Sequence, residues 1–324
     1  MISPILRFWT GPIPFQSTRK NPFLDLLIHP IKRHLAKFYL KFLTLNGTIV
    51  IGITGSYGKT TTKEALKSIL PSSVASAANI DPIYNIPATI LSTPPWTKYL
   101  ILEMGIEHLG EMDFYLWLAP VDIAVITGFG LAHTEFLKDL KTIKSEKLKI
   151  TKYAKHVVNF SSHKPGPKNA LSIARQVAKI LEIKPDLSSF TPPPHRLQII
   201  NHPSGAIIID DSYNANPTAT KFAVDYLVDL AKKKNQTPVF VFAQMNELGS
   251  YEKSAHAAID KYVAQKGIKN FLTLGPATAN LGQHFKSRET LIPAIRKFLT
   301  PNYCLLIKGS RSWHLEDVVS ALTA

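Results

Sequence analysis

Residues 49–62, IVIGITGSYGKTTT, are the part of this chain best suited to bind phosphate. A β-branched run leads into a loop bracketed by Gly55 and Gly58, where backbone N–H groups can approach phosphate oxygens closely. Lys59 can reach the β- and γ-phosphates of a nucleotide, and the Thr60 hydroxyl can ligate Mg²⁺. The spacing therefore predicts a nucleotide-binding loop between a strand and a helix.

The segment after this loop is expected to be a helix over 61–70, whose positive N-terminus would face the same anion. Ile53 stands where the strict pattern has a further glycine, so a chance glycine-rich turn is the alternative interpretation. The preceding strand, the following helix and the Lys-Thr pair favour the phosphate site.

Short β-rich runs alternate with helical stretches from Thr48 to about Pro194, which predicts a parallel sheet with helices on both faces. Strands are expected at 50–54, 99–104, 123–127 and 156–160, and helices at 142–153 and 169–182. The stiff segment 191–194, Thr-Pro-Pro-Pro, cannot continue a helix, so a domain boundary is expected there.

The alternation resumes after these prolines. Strands are expected at 206–210, 238–243, 270–274 and 303–308, with helices after Pro217 and around 254–265. We therefore expect the α/β fold class, with a P-loop central domain of mostly parallel sheet over 48–194 and a C-terminal Rossmann-like α/β domain over 195–324. Residues 1–47 are expected to form a basic helical extension.

Residues 31–43 of this extension show an amphipathic pattern. Ile31, Leu35, Phe38 and Phe42 are expected on one face, and the opposing stripe is basic: Arg33, Lys37 and Lys41. Such a helix could lie on an anionic membrane surface. A helix that packs its apolar face on the neighbouring domain and leaves its basic face in solvent is commoner, and we favour that arrangement.

Composition indicates a globular protein that attracts anions. A chain of 324 residues with 45% hydrophobic content can form about two packed domains. The net charge of +15 favours nucleotides, acidic metabolites or anionic lipid as ligands, while scattered lysines without an RNA-binding pattern disfavour nucleic acid. No membrane-spanning stretch or secretion signal is seen, and the single Cys304, expected in a buried strand, suits a reducing cytoplasm.

Two further residues could take part in phosphate chemistry. Glu103 ends an apolar strand, where open α/β sheets place their ligands, and a P-loop nucleotide needs such an acid to hold Mg²⁺. His133 follows the next strand and would lie at the same sheet edge, although a lone loop histidine is more often structural. The helix after it carries Lys144, Lys147 and Lys149, which taken singly are solvated surface charges.

The chain resembles the Mur ligase family through motifs that occur in the family's order across residues 48–324. They read GITGSYGKTTTKEAL, LEMGIEHLGEM, ITGFGLAHTEF, HRLQII, IIIDDSYNANPTAT, MNELG and IKGSRSWHLEDVVSAL. The resemblance is strongest to the branch that adds D-alanyl-D-alanine. It implies an ATP-dependent amide ligase, in which a carboxylate attacks the γ-phosphate and an amine then displaces phosphate from the acyl phosphate.

The resemblance also implies a set of ATP and metal residues. Lys59 and Thr60 would serve the phosphates and a first Mg²⁺, completed by Glu103, with His133 as a ligand of a second Mg²⁺. Lys147 matches a lysine that several members carbamylate to make a metal-bridging anion. The remaining ATP-binding residues implied are Gly55, Ser56, Gly58, Thr61, Arg196, Asp211 and Asn214.

The substrate side is implied by fewer matches. Lys308, Ser310 and Arg311 resemble the set near the incoming amino acid or dipeptide, and Arg311 could hold its carboxylate with a bidentate fork. A salt bridge from Arg311 to Glu316 or Asp317 is the structural alternative. Of the family's asparagine-rich string only Asn79 and the final proline are kept, and Asn79 is expected to bind substrate.

Several departures keep other interpretations open. Only about 47 residues precede the P-loop, so the family's UDP-sugar-binding domain is not expected, and a His-Asn pair of the family is replaced by Lys168-Asn169. The chain could be a nucleotide-binding subunit that needs a protein partner to supply the substrate surface. It could also be another acid–amino-acid ligase, such as a poly-glutamate synthase. A cytoplasmic enzyme is expected, with peripheral membrane contact through residues 1–46 as an added possibility.

Overall fold

The computed structural model describes residues 12, 28–78, 80–160, 165–188 and 190–324. They belong to two compact units. Unit 1 comprises the chain up to Phe129 with 136–163 and 167–191, and unit 2 comprises 130–135, 164–166 and the chain from Pro192 onwards.

Unit 1 is built on a five-stranded sheet in the order β2-β3-β1-β4-β5, with every pairing parallel. Its strands are β1 Ile49–Thr54, β2 Ser73–Ala75, β3 Tyr99–Glu103, β4 Ile123–Ile126 and β5 His156–Asn159. Its helices are α1 His29–Leu45, α2 Lys59–Ile69, α3 Pro82–Leu91, α4 Glu111–Leu118, α6 Leu140–Leu148 and α7 Pro167–Ile180, while the short α5, Thr134–Leu137, begins in the segment assigned to unit 2.

Strand β1 is apolar up to its last residue, Thr54, which fits a strand covered on both sides. Val50 packs into one hydrophobic cluster, whereas Ile51 and Ile53 pack into another, and all three are fully buried. A parallel sheet covered by helices on both faces favours such continuous apolar runs. The predicted P-loop α/β unit with a parallel sheet is confirmed.

Unit 2 contains a six-stranded sheet in the order β10-β9-β8-β11-β7-β6, in which only the β6–β7 pair is antiparallel. Its strands are β6 Gln198–Asn201, β7 Ile207–Asp211, β8 Thr237–Ala243, β9 Asn270–Leu274, β10 Gln283–Phe285 and β11 Tyr303–Lys308. Its helices are α8 Pro217–Lys234, α9 Glu252–Gln265, α10 Arg288–Arg296 and α11 Leu315–Thr323. The predicted second α/β unit is confirmed.

Some predicted boundaries were wrong. The helix expected over 142–153 ends at Leu148 and continues as a 3₁₀ turn, Lys149–Tyr153, while Met104, Thr127 and Phe160 lie just outside their strands. Cys304 is fully buried in β11 as predicted, and burial raises the pKa of its thiol to about 12. Within the described residues, no helix is long and apolar enough to cross a membrane.

The orientation predicted for α1 was also wrong. The helix buries Ala36, Leu40 and Leu43 in the core of unit 1 and exposes the apolar stripe that was expected to pack there. The basic side is accommodated because α4 presents aromatic rings to it. The Arg33 guanidinium lies 5.2 Å from the Phe114 ring centre, and the Lys37 ammonium lies 4.3 Å from that of Trp117.

Candidate active site

The P-loop joins β1 to α2 through two glycines with positive φ. Gly58 has a φ of 76° and directly precedes the first residue of α2. Lys59 donates a hydrogen bond from Nζ to the Gly55 carbonyl at 3.0 Å, so its ammonium lies over the loop. Thr60 and Thr61, in the first turn of α2, are buried. The first turn of a helix leaves backbone N–H groups free to bind an anion.

The loop packs closely against the residues that follow β4, and this close packing explains why position 55 is a glycine. A Cβ on Gly55, whose φ is 153°, would lie 2.0 Å from Thr127 Oγ1. Thr127 donates from that oxygen to the Tyr57 carbonyl, and the Ser56 N–H donates to the Gly128 carbonyl at 2.9 Å. These contacts fix the path of the loop.

Thr60 and Glu103 meet at the carboxyl ends of β1 and β3, as predicted for neighbouring parallel strands. The Thr60 hydroxyl oxygen lies 3.1 Å from each carboxylate oxygen of Glu103. Adjacent ligands of an octahedral Mg²⁺, with bonds of about 2.1 Å, stand about 3.0 Å apart. These two oxygen donors therefore fit one magnesium ion.

Lys63 is a residue of this site that sequence reasoning missed. Its side chain is fully buried, its Nζ donates to the Ser76 carbonyl at 2.8 Å, and the same Nζ lies 3.8 Å from Glu103 Oε2. Ser76 Oγ in turn accepts the Glu103 N–H at 2.9 Å. The available signal was helical spacing, since Lys63 stands one turn after Lys59 on α2.

Lys147 is buried rather than solvated, which corrects the interpretation of its helix as a charged surface. Only 1% of the residue is exposed. Burial lowers the pKa of the Lys147 ammonium well below its usual value, and the charge of Lys59 lowers it further, against the opposing effect of Glu111, Glu146 and Glu107. Its amine is therefore biased toward the neutral form.

His133 belongs to unit 2, where its loop is bound to the MNELG segment. Thr134 Oγ1 donates to the Leu248 carbonyl at 2.9 Å, and the Glu135 N–H donates to the Glu247 carbonyl at 3.1 Å. His133 Nδ1 lies 2.5 Å from Glu247 Oε2, close enough for an ion pair although the contact lacks the angle of a hydrogen bond. This contact lowers the pKa of Glu247. Glu247 belongs to the MNELG motif but is not among the residues that the sequence predicts for the site.

The ends of β7 and β11 bring three of the predicted unit 2 residues together. Lys308, which is 2% exposed, donates from Nζ to Asp211 Oδ2 at 2.5 Å and to the Asn214 carbonyl at 2.8 Å. Burial raises the pKa of the Asp211 carboxyl, while Lys308 and Arg196 oppose that rise. Lys308 thus supports the loop after β7 from below.

Two of the predicted arginines lie near the ring of Tyr213. The guanidinium carbon of Arg196 is 3.9 Å from its ring centre, and that of Arg311 is 5.3 Å away. Arg311 also pairs with Glu316 at 3.1 Å, which is the salt bridge considered from the sequence. Ser310 is buried and accepts the N–H of Asn246 at its Oγ. Asn79 lies outside the described residues.

A P-loop with a hydroxyl and a carboxylate spaced for a divalent cation defines a nucleotide-binding α/β protein. Residues 53–184 match the Mur ligase middle domain, and residues 195–311 match the Mur ligase glutamate ligase domain. The chain belongs to the Mur ligase family. The predicted family and the predicted class, an ATP-dependent amide-bond-forming ligase, are confirmed.

Individual proteins are also similar to this chain. The UDP-N-acetylmuramoyl-tripeptide–D-alanyl-D-alanine ligase of Bacillus subtilis is 27% identical over 363 residues, covering 90% of this chain and 78% of that protein. The MurF ligase of Thermotoga maritima, solved with ADP, has a TM-score of 0.78 at 20% identity, covering 90% and 83%. A folylpolyglutamate synthase/dihydrofolate synthase of Yersinia pestis has a TM-score of 0.64 at 15% identity, covering 91% and 93%. The two structural likenesses show a shared fold.

Proposed function

We propose that this protein joins D-alanyl-D-alanine to the carboxylate of a UDP-muramyl peptide at the expense of ATP. The observation that carries the proposal is the meeting of Thr60 and Glu103 beside Lys59 at the end of a P-loop strand. The choice of substrates is supported by the name of the Bacillus subtilis relative. A role in peptidoglycan synthesis, in the cytoplasm, follows from this choice.

In the proposed reaction, a carboxylate oxygen of the peptide attacks the γ-phosphorus of ATP and the bond to the ADP oxygen breaks. The resulting acyl phosphate is attacked by the neutral amine of the dipeptide, and phosphate leaves as the amide forms and the amine loses a proton. Gly55, Ser56, Gly58 and Thr61 are proposed to line the ATP phosphates, with Lys59 on the β- and γ-phosphates.

Thr60 and Glu103 are proposed to hold the Mg²⁺ that accompanies ATP. Bound there, the ion would neutralise charge on the phosphates during transfer. His133 is a candidate ligand for a second Mg²⁺, and its contact with Glu247 would fix the orientation of the ring. Lys147 is proposed to be carbamylated, because a neutral amine is the form that adds to CO₂, with loss of one proton, and burial lowers the pKa of this amine.

Roles for Arg196, Asp211, Asn214 and Arg311 in unit 2 are proposed from the family resemblance. Arg196 is proposed to bind an ATP phosphate, with Asp211 and Asn214 contacting the nucleotide. Arg311 is proposed to bind the dipeptide carboxylate, which would have to displace Glu316. Lys308 and Ser310, predicted near the amine substrate, are tied to protein groups, and these contacts support a positioning role instead. Asn79 stays a predicted substrate ligand.

Substrate identity is tested by incubating the full chain with ATP, Mg²⁺ and pairs of carboxylate and amine substrates. We expect phosphate release and a product of the expected mass only with a UDP-muramyl tripeptide and D-alanyl-D-alanine. Product from a folate and glutamate would instead show a poly-glutamate synthase. ATP binding without product from any pair would contradict the proposal and favour a subunit that needs a protein partner. Lys59→Ala is the control for contaminating activity.

A further inference from the structure

The outward side of α1 carries a continuous row of large apolar side chains, which we name the α1 apolar face. Its members alternate three and four positions apart and so line one side of the helix. They are Ile28, Ile31, Leu35, Phe38, Phe42 and Leu45, with exposed fractions of 47%, 50%, 55%, 76%, 47% and 78%. Contiguous exposed apolar surface of this kind usually marks an interaction site.

The helix cannot bury this face by rotating, because its other side is already committed to unit 1. Ala36 and Leu43 are fully buried in the core, and Tyr39 donates from its hydroxyl to the Thr93 carbonyl at 2.7 Å. Arg33, 1% exposed, lies over the Phe114 ring. A rotation would expose these groups and break the contacts. The α1 apolar face is therefore held outward by the packing of the unit.

Positive charge borders the face on both edges. With about 100° between successive residues, Lys32 and Lys41 fall on opposite sides of the apolar row. Lys41 is exposed and Lys32 is half-buried. The sequence of α1, HPIKRHLAKFYLKFLTL, contains no acidic residue. Long basic side chains at the edges of an apolar stripe suit the boundary between lipid headgroups and acyl chains.

Charge decides among the surfaces that could cover the face. The α1 helix of a second copy, packed against this face, would bring the same lysines and no acid, so the two helices would repel. The segment 1–27 carries Arg7, Arg19 and Lys20 against a single acid, Asp25, and would also add positive charge. An anionic bilayer complements both the apolar row and its basic edges.

We propose that the α1 apolar face docks on an anionic lipid bilayer, lying in the interface with Lys32 and Lys41 directed at the headgroup phosphates. The helix lies on the surface and does not cross it. This inference concerns the location of the protein and does not depend on its proposed ligase activity. It would hold the protein at a membrane surface.

Vesicle co-sedimentation of the full chain tests the proposal. We expect binding to vesicles of phosphatidylglycerol and phosphatidylcholine in equal parts, little binding to phosphatidylcholine alone, and weakening by salt. Leu35→Ser with Phe38→Ser should weaken binding at least about tenfold, as should Lys32→Glu with Lys41→Glu. Matched controls that should bind normally are Trp96→Ser, which changes another exposed apolar residue, and Lys67→Glu with Lys98→Glu.

A photocrosslinker at position 38 distinguishes the occupants of the face. With anionic vesicles present, crosslinks to lipid support the proposal. Crosslinks between two chains, together with loss of a dimer in Leu35→Ser/Phe38→Ser on sedimentation, would overturn it in favour of self-association. Crosslinks to residues 1–27 would overturn it in favour of an internal contact. Equal binding to neutral and anionic vesicles, or no binding, would also contradict it. Circular dichroism of each variant checks that it is folded.

Discussion

Glu103 is held in place by two neighbouring residues, Ser76 and Lys63. Its N–H is bound by Ser76, and the ammonium of Lys63 lies near its carboxylate while bonding the Ser76 carbonyl. The carboxylate is thus oriented toward Thr60 before any metal binds. A carboxylate that is already oriented in this way is a candidate metal ligand. We expect its negative charge to contribute more to Mg²⁺ binding than the size of its side chain.

Replacing Glu103 by glutamine should separate metal binding from nucleotide binding. Glu103→Gln keeps the size of the side chain but removes its charge, so we expect at least about a tenfold weaker apparent affinity for Mg²⁺ in the ATP complex. Metal-free nucleotide should bind nearly as before. Titration of a fluorescent ATP analogue with Mg²⁺ measures both. Glu64→Gln is the control, since Glu64 also lies near Lys63, at 3.3 Å; an equal effect there would refute a ligand role for Glu103.

The proposed carbamate at Lys147 leads to a separate prediction, because a carbamate ends in a carboxylate group that a small carboxylate can replace. Lys147→Ala should abolish ligase turnover, and short carboxylates such as acetate should restore part of it by occupying the vacated space. The rate as a function of added carboxylate is the measurement. Lys141→Ala, an exposed lysine of the same helix, should need no rescue. Absence of any rescue would indicate that Lys147 acts as a plain ammonium or amine.

At the residue scale, the sequence predicted where Lys59, Thr60 and Glu103 lie better than it predicted their surroundings. Strand ends and glycines fix these three positions locally, and their roles as ligands stay predictions. The burial of Lys147 could not be predicted, since α6 reads LKTIKSEKL and shows no clear apolar face. Only packing against the rest of unit 1 determines which of its lysines is enclosed.

Among the elements, the junction between β1 and α2 depends on Gly55. Gly55→Ala should lower the free energy of unfolding by about 1–3 kcal/mol, because the new methyl group would collide with Thr127. ATP binding should be lost as the loop shifts. Gly47→Ala separates collision from backbone strain, since Gly47 also has positive φ, at 90°, but no atom lies within 4 Å of its Cβ position. Urea unfolding of both variants decides whether space or strain dominates.

Three strands, β2, β6 and β10, were not predicted from the sequence, and the same physical reason explains all three. β2, β6 and β10 have three or four residues, lie at or next to sheet edges and are not fully buried, so their sequences carry little apolar signal. The prediction of the orientation of α1 was wrong for another reason. Its sequence shows two faces, but the aromatic rings of α4, which lie against Arg33 and Lys37, are distant in sequence.

For the molecule as a whole, acid sensitivity is expected from His256 in α9. The ring is 1% exposed, accepts the Met245 N–H at Nε2 and donates from Nδ1 to the Glu252 carbonyl. Burial lowers the pKa of His256 below its ordinary 6.5, against an opposing effect of Glu252. Below that pH the unfolded chain takes up a proton that the folded chain resists, so stability is full above 6.5 and falls as the pH drops.

The free energy of unfolding in urea, determined between about pH 8 and about pH 5, measures this effect, because that range spans the ordinary histidine pKa. The wild type should lose stability on acidification more steeply than His256→Gln, whose amide cannot titrate. Parallel slopes for the wild type and His256→Gln would show that His256 does not carry the acid response.

The loop at 130–135 has a consequence for how this protein could be divided. It is encoded between two elements of the first unit, yet Thr134 and Glu135 are bonded to residues 247 and 248 of the second. A C-terminal fragment that begins at the prolines, residues 192–194, would therefore lack the 130–135 part of its own unit. The Leu248 carbonyl would then lose its hydroxyl donor, Thr134. The two halves therefore cannot be exchanged independently of each other. A chimera with a related ligase would have to exchange this loop together with the C-terminal half.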